Sequence, residues 1–410
     1  MIKRSTYLSK ILAVKNNEKL KIILGVKRSG KTTLISQFIE ELKIKKVKTE
    51  QIIYLNFEQP DFQKVLNADQ EWLHHLEKTL NNEQNYYLFL DEISQLNEAT
   101  IPTIEKLRTK KNVDLYLISS NNSFVRHLEE SLLENEISFI HIFPLSFREF
   151  LSGYTFEYFI PSTRNYWNVY LRSSFPHVIT LKNDNDRIIY LSDLIDGILI
   201  NDLMLHVSIT NVHLLKYLVQ FLFHHIGREI SINKIATQLI CSKFPKVYPK
   251  MIDKYIQGLL NTFLFYKLNR YDIKEKQIIY TTPKYYIADI GLQMIDYKIN
   301  EKEMAFAVEN IVLLELKKRG YEVFFGKIGD YQIDFVAKKD DFFEYYQVSH
   351  LPLNPITLAK KKRPIDKLRN GYPRFLLTLD QAGVRGNYDG LRQLSIFEWL
   401  MQTEVQESDS

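Results

Sequence analysis

An α/β fold is what the sequence predicts: a three-layered parallel sheet, then a helical region, a helix–turn–helix–hairpin unit and a small second α/β unit. Three observations carry that expectation. The stretch Ile22-Ile23-Leu24-Gly25-Val26-Lys27-Arg28-Ser29-Gly30-Lys31-Thr32-Thr33 reads as an apolar strand, a glycine-bounded loop and the polar start of a helix. Strand-like and helix-like runs then alternate to about residue 150, as parallel strands with crossover helices do. Residues 229–290 read as helix, turn, helix, hairpin.

The loop carries chemistry. Gly25 to Thr32 fits G-x-x-x-x-G-K-[ST], the phosphate-binding pattern. Glycines at both ends let the chain curl so that the N–H groups of Val26, Lys27, Arg28, Ser29 and Gly30 face inward on a phosphate. The helix beginning near Thr32 adds its positive end. Lys31 is expected on the β- and γ-phosphates of a nucleotide, the Thr32 hydroxyl on Mg²⁺, and Thr33 beside them. The apolar residues Leu34, Ile35, Phe38, Ile39 and Leu42 follow at helical spacing.

Composition bounds the class. The 410 residues, 45% hydrophobic and 25% charged, describe an ordinary globular chain with room for about two to four domains. No apolar run approaches the ~18 residues of a membrane span, and the first residues lack the apolar core of a secretory signal. A cytoplasmic, non-membrane protein is expected. One cysteine, Cys241, excludes a disulfide framework and a cysteine-cluster metal site. The net charge of +5 on 54 basic and 49 acidic residues is too mild to argue for nucleic acid unless it is concentrated. His74-His75 and His224-His225 are adjacent rather than four apart, so neither pair shares a helix face, and both read as structural.

Within residues 1–150, Gln51–Glu58 reads as a second strand ended by Pro60, and Trp72, Leu73, Leu76 and Leu80 as a helical face. Tyr86-Tyr87-Leu88-Phe89-Leu90-Asp91-Glu92 is an apolar run ending in two acids. Strands buried on both faces look like this, and their carboxyl ends line the ligand site of open α/β sheets. Asp91 is expected to hold Mg²⁺ with Thr32, and Glu92 to orient or deprotonate the attacking water, with Lys31 its catalytic partner. Helix Thr100–Arg108 leads to strand Val113–Ser119, whose tip offers Ser119, Ser120 and Asn121 as contacts to the γ-phosphate, or simply as turn residues. Asn121 is counted among the cofactor-binding residues. A fifth strand, Ser138–Phe143, precedes a Ser146/Glu149 capping box.

Together, these motifs with Phe143-Pro144-Leu145-Ser146-Phe147-Arg148-Glu149-Phe150, Lys284–Leu292, Glu309-Asn310 and Ile333-Asp334-Phe335-Val336 resemble the prokaryotic AAA-type ATP-binding proteins that carry an uncharacterised C-terminal domain. The resemblance implies ATP and Mg²⁺ as cofactors, an AAA-like ATPase core, a winged-helix region and a restriction-endonuclease-like tail. Such proteins usually show a Gly-Arg pair before the fifth strand; here Asn135-Glu136 stands there. Arg126, Arg148 or an arginine of a neighbouring subunit would have to replace that cation.

The expected layout is an ATP-binding domain over 1–150, a helical linker over 151–228, a winged-helix-like unit over 229–290, a nuclease-like unit over 291–402 and a disordered tail over 403–410. In the winged-helix pattern Lys243, Lys246, Lys250, Lys254 and Lys267 are placed to face DNA phosphates, or are only solvated. In the tail, Asp334 lies on a strand, but the acid-x-lysine position reads Gln347-Val348-Ser349, and Glu344 falls on the other strand face. A neutral amide does not replace a metal-holding charge. The densest basic cluster, Lys360–Arg363 with Lys367 and Arg369, suits a phosphate backbone or a solvated helix end. The function expected is a slow Mg²⁺-dependent ATPase whose nucleotide state controls its C-terminal domains, with ATP-gated DNA binding and then ATP-dependent cleavage as alternatives. Homo-oligomers are compatible with it.

Overall fold

The computed structural model describes residues 2–59, 76, 79, 80, 84–154, 162–242, 244–295, 301–350, 354–379, 387, 388 and 390–402. Trp72, Leu73, His74, His75, Lys243 and the tail after Gln402 lie outside the described residues. Helix α1 (Ser5–Val14) buries Tyr7, Leu8 and Ile11. There follow β1 (Leu20–Leu24), α2 (Lys31–Ile44), β2 (Ile52–Asn56), β3 (Tyr86–Asp91), α3 (Ile101–Arg108), β4 (Val113–Ser119), α4 (Ser123–Ser131) and β5 (Ile137–His141). The five strands form one parallel sheet in the order β2-β3-β4-β1-β5.

Strand composition accounts for that order. β1, β3 and β4 are buried along their whole length, while β2 and β5 at the edges are only partly so. A mid-sheet strand must be apolar on both faces because helices cover both. Successive residues accordingly divide between two layers. Ile22, Leu88 and Leu90 pack with Ile104, Leu107 and Phe124. Ile23, Phe89 and Tyr116 pack with Tyr7, Leu34 and Phe38 of α1 and α2. Lys21 is the exception in β1: it is 1% exposed, and its ammonium donates to Asp114 on β4 and to the Asn17 carbonyl.

Helix α5 (Phe147–Gly153) begins with the expected capping box, Ser146 Oγ accepting from the Glu149 N–H and Glu149 from the Ser146 N–H. Helices α6 (Thr163–Tyr170) and α7 (Asp184–Gly197) follow, and α7 runs into a single π-helical turn, Ile198–Leu203. Then come α8 (Val212–His224), α9 (Ile232–Ser242), α10 (Pro249–Asn261), β6 (Phe265–Asp272) and β7 (Gln277–Ile287). Ser231 accepts from Lys234 N–H as the expected cap of α9, and Pro249 occupies the first position of α10. His224 and His225 each turn Nδ1 to the carbonyl four residues back.

The hairpin does not stand alone. After α11 (Ile290–Gln293) and α12 (Glu301–Lys318) come β8 (Glu322–Ile328), β9 (Tyr331–Lys339), β10 (Phe342–Ser349), α13 (Pro355–Asp366), β11 (Arg374–Thr378), β12 (Asn387–Tyr388), β13 (Leu391–Ser395) and α14 (Ile396–Met401). β6 pairs in parallel with β8, so one eight-stranded sheet runs β12-β13-β11-β10-β9-β8-β6-β7. The boundary expected near residue 290 therefore falls inside a continuous sheet. Two residues of the recognised motifs stitch this region. Asn310 bonds both the N–H and the carbonyl of Ile287 at 2.8 Å, and Asp289 accepts from Ser174 and Gly291. Between the two sheets His141 of β5 meets the Tyr266 hydroxyl of β6 at 3.0 Å. Burial, with the charges of Lys317 and Lys31, pushes that imidazole down to about 3 and keeps it neutral. Among the described residues no helix is long and apolar enough to cross a membrane.

The Lys21–Asp114 pair gives a direct test of the ATP-domain core. Asp114→Ala leaves a buried ammonium without its carboxylate and is expected to cost about 3–5 kcal/mol, whereas replacing both groups with apolar residues costs far less. Urea unfolding of the single and double variants checks this, and equal losses in the two would contradict it.

Candidate functional site

The loop between β1 and α2 is shaped by contacts only glycine allows. A Cβ on Gly25 would sit 2.1 Å from the Ile142 carbonyl, and Gly30 has φ 98° as the cap of α2. Arg28 also takes a positive φ, 61°, and its guanidinium lies 4.9 Å from the Tyr190 ring. Lys31 folds back along the loop, donating to the carbonyls of Gly25 at 3.0 Å and Val26 at 3.4 Å, with Glu92 Oε1 at 3.7 Å. The Val26 side chain is buried in the core, and the buried Ser29 hydroxyl has no hydrogen-bond partner.

The acids of β3 arrive where the loop needs them because β4 lies between β1 and β3, with all three carboxyl ends on one edge. The Thr32 hydroxyl donates to Asp91 Oδ2 at 3.0 Å, and the Tyr54 hydroxyl from the middle of β2 donates to the same oxygen. Burial raises Asp91, the nearby Glu92 charge adds to this, and Tyr54, Lys31 and Thr32 oppose it. Glu92 itself has φ 56° and ψ 49°, a left-handed conformation that costs energy in a non-glycine residue and recurs at functional sites. Its Oε2 accepts from Ser120 N–H at 3.1 Å and Ser120 Oγ at 2.8 Å, leaving Oε1 toward Lys31.

Gly30, Lys31, Thr32, Thr33, Lys27, Arg28 and Glu92 all line one cavity of about 900 Å³. Its far wall comes from the following region: Pro176, His177, Ile179, Thr180 and Tyr190. A nucleotide fits this donor set. The orphaned Ser29 hydroxyl, the glycine-shaped loop and the cationic lining suit a polyphosphate, and the adjacent Thr32 and Asp91 oxygens suit a hard cation. Among the described residues no group of three or more His, Cys, Asp or Glu could hold a metal ion, so Mg²⁺ here would need the nucleotide's own oxygens.

Asn121 is not brought to the loop. Its amide donates to the Asp202 carbonyl at 2.6 Å and its oxygen accepts from Ser123 N–H, so both ends are used within the protein. Its neighbour Ser120 makes the contact to Glu92 instead. Arg126 and Arg148 are exposed and line no part of the cavity, and Glu136 pairs with Arg108 at 2.9 Å. In the tail, position 349 is a serine, and Lys361 of α13 donates to Asp334 at 2.8 Å. Burial and the Asp334 charge raise Glu309 to about 7, and the Gln347 amide donates to the Gln332 carbonyl.

Sequence spacing gave no sign of Arg4. It is 2% exposed and donates to the Ser29 and Phe143 carbonyls at 2.8 Å and to Glu149 at 2.8 Å. Lys318 at the end of α12 reaches the same Glu149 carboxylate at 3.2 Å. Lys27 is likewise held, by Glu58 at 2.5 Å and Asp202 at 3.1 Å. Burial alone would push Lys27 down, but these two carboxylates hold it above its ordinary value.

Residues 17–151 match the AAA domain family, and residues 163–302 match a domain of unknown function (DUF8612). An uncharacterized protein of Haemophilus influenzae is 32% identical over 406 residues, 98% of this chain and 99% of that one. One from Methanocaldococcus jannaschii is 29% identical over 344 residues, 78% of this chain and 72% of its own. Of solved structures, a Walker-type ATPase of Pyrococcus abyssi superposes with a TM-score of 0.46 at 12% identity, over 72% of this chain and 95% of that one; a likeness so slight carries no argument.

The buried Glu149 makes a pH prediction. Burial would raise its carboxyl, but Arg4, Lys318 and the Ser146 N–H outweigh this and hold it at about 2, below its ordinary 4.5. The folded value is the lower one, so the ionised group stabilises the fold above pH 4.5 and that contribution is lost as pH falls toward 2. It amounts to about 3 kcal/mol. The gap in urea midpoint between wild type and Glu149→Gln is expected to be widest above pH 5 and to close in acid; a gap independent of pH contradicts the network.

Proposed function

We propose, on the premise that the chain belongs to one family with its full-length Haemophilus influenzae relative and carries an AAA domain over residues 17–151, that it is a slow, Mg²⁺-dependent ATPase. The observation that supports this most is the convergence of Lys31, Thr32 and Glu92 on one cavity edge, with Asp91 buried against Thr32. In this reading Lys31 exchanges the Gly25 and Val26 carbonyls and Glu92 for the β- and γ-phosphates. Glu92, anchored through Oε2 by Ser120, then has Oε1 available to orient a water and accept its proton. Thr32 and Asp91 would hold Mg²⁺, which when bound offsets the charge of the phosphoryl oxygens. Tyr54 keeps Asp91 turned toward Thr32.

Slow turnover follows from the cations at hand. Arg4 is committed to Glu149 and two carbonyls, Arg28 lies on Tyr190, and no arginine stands where Asn135-Glu136 does. A missing arginine finger commonly costs about 10³–10⁵ in rate. We read residues 229–290 as winged-helix-like and the tail as a nuclease-like module that does not cleave, since Lys361 occupies Asp334 and Gln347 brings no charge. ATP binding would then control these C-terminal parts. A second reading, ATP-gated DNA binding, is favoured by the exposed Lys246, Lys250 and Lys254 before and along α10.

Lys31→Ala is expected to abolish ATP binding in calorimetry; unchanged affinity would sink the assignment. Glu92→Gln is expected to keep binding and lose turnover by about 10²-fold or more, and equal rates would remove Glu92 from the mechanism. For the second reading, duplex affinity should fall steeply with salt and drop when Lys246, Lys250 and Lys254 are neutralised; salt-insensitive binding or none excludes it.

A further inference from the structure

Asp202 lies far in sequence from the loop yet touches its lysine. It sits on the π-helical turn that ends α7, between the buried Leu199 and Leu203, and is itself 2% exposed. Such turns are uncommon and often mark functional positions. One carboxylate oxygen accepts from Lys27 at 3.1 Å, the other lies 3.4 Å from Ser120 Oγ, and the backbone carbonyl accepts from Asn121 at 2.6 Å. A single residue of the helical region thus contacts the phosphate loop, the tip of β4 and, through Ser120, the Glu92 carboxylate.

We propose that Asp202 is a latch on the phosphate loop: a polyphosphate that takes Lys27 removes the counter-charge of a buried carboxylate, so nucleotide binding is transmitted into the Ile198–Leu203 turn. The proposal rests on the loop's being a nucleotide site. Lys27 has two carboxylate partners of unequal standing. The Glu58 side chain is 38% exposed, and that of Asp202 is 1% exposed. Water can replace Lys27 at Glu58 but not at Asp202, where an unpaired charge is costly. The charged groups facing Asp202 are Lys27 and Lys31 from the loop and α2, Glu58 after β2 through Lys27, and Glu92 after β3. Burial raises Asp202 to about 6 even with Lys27 beside it, and the Glu92 charge adds to the rise. Once Lys27 turns to phosphate, the Asp202 carboxylate has among the described residues only the Ser120 hydroxyl beside it, whose proton is already donated to Glu92, and it must withdraw or take a proton. A purely structural ion pair would behave differently, because its loss would weaken the fold without improving nucleotide affinity.

The test titrates ADP and ATP with Mg²⁺ into wild type, Asp202→Asn, Asp202→Ala and Lys31→Ala by calorimetry, and repeats Asp202→Asn in a Lys27→Met background. Both Asp202 variants are expected to bind ATP at least ~5-fold tighter than wild type, the low end of ordinary coupling. The gain should vanish in the Lys27→Met background. In wild type, ATP should speed amide exchange over residues 198–207. Wild-type binding that needs Lys31 but is unchanged or weaker in both Asp202 variants overturns the latch alone. Failure of wild type to bind either nucleotide overturns the ATP reading and the latch with it.

Discussion

Arg4 and Glu149 form the interaction on which the rest of the site depends. A guanidinium buried this deeply must have its donors satisfied, and its partners come from three separate parts of the chain: the Ser29 carbonyl in the loop, the Phe143 carbonyl after β5 and the capping carboxylate of α5. Shifting any one of them strands a buried charge. The phosphate loop is therefore held from behind by the residues that leave the sheet at β5. Lys318 fastens the end of α12 to the same carboxylate. The capping box, read from sequence as purely local, is the anchor of a long-range network.

The sheet order does the remaining positioning. With β4 between β1 and β3, the loop lysine and the two acids face each other across a strand's width, and Ser120, just past the end of β4, holds the Glu92 carboxylate. That placement explains why Ser120 rather than Asn121 supports Glu92. Asn121, itself buried, has its side-chain oxygen on the Ser123 N–H at the start of α4 and its amide on the Asp202 carbonyl of the helical region.

What was legible in the sequence was whatever is local or periodic. The loop, the acid-ended strand, the capping box and the helix–hairpin run each occupy a few consecutive residues whose spacing mirrors backbone geometry. What stayed hidden was contact between distant residues of ordinary type. Nothing near Arg4, Asp202 or Tyr54 distinguishes them from dozens of like residues until the fold brings them to the loop. Lys361 shows the same limit from another side: its contact to Asp334 comes from the following helix, at no fixed offset along the strand. Likewise, the fusion of the β6–β7 hairpin to the tail through β8 is a parallel pairing across about fifty residues, which no local pattern announces.

Three cations in or behind the loop are each matched by a carboxylate of different origin, while Arg28 lies over the Tyr190 ring. Lys31 faces Glu92 from the catalytic edge, Lys27 faces Glu58 and Asp202, and Arg4 faces Glu149. A polyphosphate that takes either lysine must exchange with a partner already in place, which lowers the net gain from each contact. The same exchange makes the site informative to the rest of the molecule, because the displaced carboxylates do not all belong to the ATP domain. In the proposed reading, releasing Glu92 would ready a base, whereas releasing Asp202 would disturb a helix outside the sheet. Arg4 is different in kind: two of its partners are carbonyls that no anion replaces. Rigid support behind the loop and exchangeable partners in front of it are together what a nucleotide-responsive site requires.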